Sequence, residues 1–235
     1  MRPTENRARP AATEPDPARS EAECLRGDFS ALLRQVGSPG IAPDAQGPFW
    51  AAAMDAPPAP GRFLEDYFAR LLLPRELPAI VEACGHARRG EPRELLAQDQ
   101  RLAASLIGTP FAGPSRRTGR LQLARLRPLR DNRIVQRYLA AVESGQAHGW
   151  HTLVYGVTLA VYSLPLRQGL FFYSQETLSA LASAAGRSKG SGDSELDEML
   201  SGMLARVPQG VEAALAGEEG CDGAAHHCGE LLPGV

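Results

Sequence analysis

Lysine is all but missing: of 25 basic residues in 235, only Lys189 is one. With the abundance of Ala, Gly and Pro, that bias reflects the base composition of the coding sequence and not a use for the side chains. No run of about 18 apolar residues occurs, so no segment is expected to span a bilayer. The opening "MRPTENRARPAATEPDPARSEAE" has no apolar stretch, which excludes a secretory signal and reads as a disordered leader over residues 1–28. The four cysteines (Cys24, Cys84, Cys221, Cys228) form no CxxC pair, and a reducing, cytoplasmic compartment is expected. A net charge of −2 argues against a general affinity for nucleic acid or an acidic membrane surface. Alternating β-branched runs are lacking as well, which excludes a sheet-based core.

What remains is helical periodicity in most windows. "FLEDYFARLLL" sets Phe63, Tyr67 and Leu71 on one stripe, and Pro74 is expected to end that helix. Pro78 and Pro92 sit where a first-turn proline opens a helix, because that position has no intrahelical N–H bond to lose. Ser115 is expected to cap "RRTGRLQLARL", and Asp131 to cap "NRIVQRYLAAVES". The segment from His151 is apolar on nearly every side, which implies burial on several faces. "GRSKGSGDS" reads as a loop, and "ELDEMLSGMLARV" as a further helix broken by Pro208 before a short last one. The expectation is an all-α domain over residues 29–216, a single bundle of about eight or nine helices, with a flexible tail over 217–235.

Four groups of residues invite a chemical reading. His148 and His151 stand three apart, but metals need three or four ligands and no Asp, Glu or Cys lies within a turn of the pair. His151 is therefore read as opening a buried helix, bonded through one ring nitrogen. "GRSKG" (Gly186–Gly190) matches the G-x-S-x-G pattern, which has force only where a strand turns into a helix, and an alanine-rich helix precedes it here. Eight arginines between Arg116 and Arg137 face a single acid, Asp131. They read equally as solvated helix faces or as a surface for an acidic protein partner, where guanidinium groups form paired bonds to carboxylates. The tail gathers Cys221, His226, His227 and Cys228, ligand types that suit zinc, nickel or copper, in a spacing that fits no closed structural site. No nucleophile with its base and no carboxylate pair is apparent, so the residues favour an interaction protein that needs no cofactor.

Several segments in order resemble the UreF family of urease accessory proteins. "LLRQVGSPGIAP" is similar to that family's opening, and "FLEDYFARLLLPRELPAIVEACGHARRGEPRELLAQDQRLAAS" to its next helices, with a core around Asp99, Leu102 and Ala104. "PSRRTGRLQL" resembles its Ser-x-x-x-Gly-Arg-x-Leu element through Ser115, Gly119, Arg120 and Leu121. "HTLVYGVTLAVY…" resembles its His-x-x-x-x-Gly helix and the Tyr-containing helix after it, through His151, Gly156 and Tyr173. The family's Arg-Leu-x-Pro-Leu-Gly-Gln run falls on "RSKGSGD", keeping Arg187 and Gly192 but placing Gly190 for Pro and Asp193 for Gln. The family's last arginine-rich turn has no counterpart beyond His226 or His227.

The resemblance implies a divergent, dimer-forming adaptor that catalyses no reaction. It would sit between a UreG-like GTPase and a UreD-like (UreH) scaffold on apo-urease, assisting nickel insertion. Arg116, Arg117, Arg120, Tyr173, Arg187, Gly192 and Asp193 are the expected partner-binding residues. Two alternatives stand beside it: the same fold serving another client, and a small hydrolase using Ser188 with His148 or His151 as base.

Overall fold

The first helix does not stop where its proline was expected to stop it. The computed structural model describes residues 60–109, 111–189 and 194–219. Within them, α1 (Pro60–Tyr67) runs into a π-helical stretch (Phe68–Glu76) and directly on into α2 (Leu77–Arg89). An α-helical proline clashes with the carbonyl four residues back; around Pro74 the winding loosens instead, and the Leu77 N–H donates to the Leu72 carbonyl, five residues back. Gly90, at φ +69°, ends α2, with Glu91 N–H bonded to the His86 carbonyl at 2.9 Å.

Then follow α3 (Pro92–Leu106), α4 (Ala112–Arg125), α5 (Arg133–Glu143), α6 (His151–Val161), α7 (Leu166–Lys189) and α8 (Ser194–Glu219). The described residues contain no strand and, with 60–89 taken as one rod, seven helices rather than eight or nine. The difference lies at two prolines. Pro74 is absorbed in the π stretch, and α8 runs through Pro208 because the buried Val207 and Val211 hold both sides of it on the core. Two expected caps also move. Ser115 lies inside α4, its N–H already bonded to the Phe111 carbonyl, and Asn132 rather than Asp131 caps α5, its side chain accepting from the Val135 N–H at 3.2 Å. The expected loop at "GRSKGSGDS" is helical as far as Lys189. The leader and the tail from 220 on lie outside the described residues.

Helices α2 and α6 form the central pair, and apolar residues pack on both sides of them. On one side Leu64, Phe68, Leu72, Ile80 and Leu159 meet Phe171, Leu178, Met203 and Val207 of α7 and α8. On the other, Ala83, Leu153, Val154 and Val157 meet Leu95, Leu123, Val135 and Tyr138 of α3, α4 and α5. Every residue of α6 from His151 to Leu159 is buried, as its apolar circumference implies. The pair closes tightly at Gly156, where a Cβ would stand 2.5 Å from the Ile80 carbonyl oxygen.

Candidate functional site

The turn that leads into α6 carries the polar interior of the molecule. Gly149 (φ +72°) adopts a conformation that side-chain-bearing residues avoid, which reverses the chain just before Trp150 and His151. Helix α4 lies hard against this turn: a Cβ on Gly119 would fall 2.0 Å from the Gly149 carbonyl oxygen. Two hydrogen-bond networks diverge from here.

The first centres on Asp99 of α3, which is fully buried. Its carboxylate accepts from the N–H groups of His148 (2.8 Å) and Gly149 (3.0 Å) and from the Tyr138 hydroxyl (2.7 Å). Its backbone carbonyl accepts from the Trp150 indole at 3.0 Å. The His148 ring stands at its edge, with Nδ1 3.6 Å from Oδ1. Burial, then the adjacent carboxylate, push the Tyr138 hydroxyl well above the ordinary tyrosine range, so it remains a donor.

The second runs through side chains, apart from the His151 N–H, which donates to Ser115 Oγ at 3.4 Å. His151 uses both ring nitrogens, where one bond was expected: Nδ1 lies 2.7 Å from Ser115 Oγ, and Nε2 lies 2.6 Å from the Tyr173 hydroxyl. Tyr173 donates in turn to Glu76 Oε2 at 2.8 Å, and Tyr67 donates to the same oxygen at 2.8 Å. Since the single Tyr173 proton goes to Glu76, His151 Nε2 must be the donor to Tyr173, and Nδ1 accepts from Ser115. Burial lowers the His151 pKa to about 4, so the ring is neutral and this tautomer is the one its neighbours require. The Glu76 carboxyl is raised by burial, against the lowering effect of the two tyrosine hydroxyls.

A serine bonded to a histidine suggests nucleophilic chemistry, but the surroundings do not suit it. The space beside the pair is a cavity of about 20 Å³, lined by Glu76, Ser115, His151 and Thr152 with Leu102 and Phe111 among the apolar residues. That is room for about one water, so no acyl group reaches Ser115. The base expected for Ser188 is committed elsewhere, since His151 serves Ser115 and Tyr173, and His148 lies at Asp99.

The expected partner-binding residues separate into three groups. Arg117 and Arg120 are exposed on α4, Arg116 is half-buried, and Leu121 beside them is 60% exposed. Of the eight arginines between 116 and 137, only Arg127 forms an ion pair among the described residues, with Glu143. Tyr173 lies in the interior: it is fully buried, with its hydroxyl engaged on two sides. Arg187 lies in the last turns of α7, while Gly192, Asp193 and the tail residues Cys221, His226, His227 and Cys228 lie outside the described residues.

Glu76 and Thr152 do not stand out in the sequence, and Tyr67 does so only as part of an apolar stripe. Among the described residues no three His, Cys, Asp or Glu side chains assemble as a metal site, and no helix is long and apolar enough to cross a membrane. Compared with known families, the chain matches the model of UreF over residues 59–204. No curated protein and no solved structure matches it.

Proposed function

The chain belongs to the UreF family, which serves urease maturation, and from that membership we propose that it is a non-catalytic adaptor which holds a UreG-like GTPase and a UreD/UreH-like scaffold on apo-urease while nickel is inserted. The observation that carries this reading is the face of α4. Arg116, Arg117 and Arg120 make no ion pair among the described residues, and Leu121 stands exposed at the edge of this group, one turn on from Arg117. Arginines beside an apolar side chain are the composition of a docking surface, where guanidinium groups bind carboxylates in pairs and the apolar residue is desolvated. The partner chemistry that fits is an acidic surface with an apolar pocket. A buried network and a packed core behind α4 hold this face in place, which favours a rigid platform over a turnover site. Homodimerisation and a cytoplasmic location accompany the proposal.

The experiment is co-purification of the tagged full-length protein from its native host, alongside a variant with Arg116, Arg117 and Arg120 exchanged for Glu. Recovery of a GTPase and a scaffold protein of urease maturation by the wild type, and loss of both by the variant at unchanged helicity, is the expected result. Capture by the variant equal to the wild type would remove the surface assignment. Recovery of neither partner by the wild type, with urease activity intact in a deletion strain, would mean that the fold serves another client.

A further inference from the structure

Among the described residues two buried hydroxyls have no partner, those of Thr152 and Thr177. Thr152 is 3% exposed, and its Oγ1 forms no hydrogen bond. A buried hydroxyl without a partner is costly, by about 1–3 kcal/mol. The preceding residue in the chain, His151, is bonded at both ring nitrogens, and Ser115 is bonded to it. Thr152 lines the same cavity as Glu76, Ser115 and His151. Glu76, which is partly exposed, lines it too, and both Tyr67 and Tyr173 donate to its Oε2, leaving Oε1 available to a water. The cavity, at about 20 Å³, exceeds the roughly 10–15 Å³ that one water occupies and falls short of any larger organic group. Leu102, Leu106 and Phe111 are among its apolar lining residues, and Arg75 lines it beside Glu76.

From this we infer that the cavity is a binding site for one water molecule, which accepts from Thr152 Oγ1 and donates to Glu76 Oε1. The buried Thr152 hydroxyl without a partner and a cavity of one water's size beside it carry the inference together. Such a water makes the Ser115–His151–Tyr173–Glu76 chain continuous with Thr152, the residue that follows His151 on α6.

Crystals of the full-length protein and of the Thr152→Val and Thr152→Ser variants, at a resolution where ordered water is seen, test this. Expected is a single density peak within hydrogen-bonding distance of Thr152 Oγ1 and Glu76 Oε1 in the wild type, kept in Thr152→Ser and lost in Thr152→Val. An empty wild-type cavity, a peak unchanged in Thr152→Val, or density too large for a water would each overturn it. If Thr152→Val does not fold, the wild-type and Thr152→Ser maps decide alone. Water-to-protein magnetisation transfer in solution gives the same answer without crystals: transfer to the Thr152 methyl is expected, and its absence would count against the site.

Discussion

The two polar networks meet within four residues, yet they are built on opposite plans. Around Asp99 most of the bonds involve backbone: two N–H groups donate to the carboxylate, and a backbone carbonyl receives the indole. From Ser115 to Tyr67 the donors and acceptors are side chains drawn from four helical elements, save the His151 N–H on Ser115, and a cavity adjoins them. The first arrangement holds the chain's path; the second holds helices relative to one another. The same division separates the two histidines. His148 contributes its backbone and leaves its ring at the edge, whereas His151 contributes its ring and is buried. A network that uses backbone groups tolerates no loss, because each N–H left behind stays buried. A network of side chains beside a cavity can admit water where a partner is removed.

The largest effect should follow from Asp99→Ala. Two N–H groups and the Tyr138 hydroxyl lose their acceptor at once, so a loss of about 3–5 kcal/mol is expected, read as the fall in the urea midpoint at constant slope. A loss below that of Ser115→Ala would reverse the comparison.

Next in size is a pH effect. The His151 ring takes its proton near pH 6.5 in the unfolded chain but only at about 4 in the folded one. Between these values the unfolded state holds more protons, so stability falls as the pH drops from 6.5 toward 4 and changes no further below. The full drop amounts to about 3 kcal/mol. Glu76 works in the other direction, since its raised carboxyl binds a proton first in the folded state and gains stability as the pH falls. Subtracting the pH–stability curve of His151→Leu from that of the wild type cancels the Glu76 contribution. An equal slope in the two curves would show that the ring is not held neutral.

Smaller again is Ser115→Ala, which removes one neutral donor beside the cavity and should cost about 1 kcal/mol by chemical denaturation. Least is expected of Tyr67→Phe, because Tyr173 still serves Glu76 Oε2; about 0.5–1 kcal/mol is anticipated in thermal or urea unfolding. A Tyr67→Phe loss larger than that of Asp99→Ala would mean that the side-chain network is the more brittle of the two.

Much of this arrangement was legible in the sequence, but as pattern rather than as contact. The 3.6-residue periodicity gave the helical class, and the apolar circumference after His151 gave its burial, because both depend only on local spacing. Ser115, Gly119, His151, Gly156 and Tyr173 stood out through the family resemblance. That three of them touch one another was not readable, since Ser115 and His151 lie 36 residues apart and His151 and Tyr173 lie 22 apart. Ser115 was read as a cap because serine before a helix usually is one; the helix starts earlier, at Ala112, and turns the serine inward. Pro74 and Pro208 were read as breaks because an isolated helix would break there, whereas the packed core holds both rods intact. Nothing local marks Thr152 or Glu76, whose roles arise only when α6 meets the helix that begins the fold.

That first rod has a consequence of phase. In a regular α-helix nine residues sweep about two and a half turns, which would set Tyr67 and Glu76 on opposite sides of it. The wider winding between Phe68 and Glu76 takes up half a turn, so the two side chains come round to the same side and bond. The rod therefore behaves as a coupling between two helices set out of step by a fixed angle. Removing one residue from the 68–76 stretch and restoring the regular pitch would leave eight steps of about 100° and rotate everything before it by about 80°. The apolar stripe of Leu64, Tyr67 and Phe68 would then swing off the core, though its composition would be unchanged.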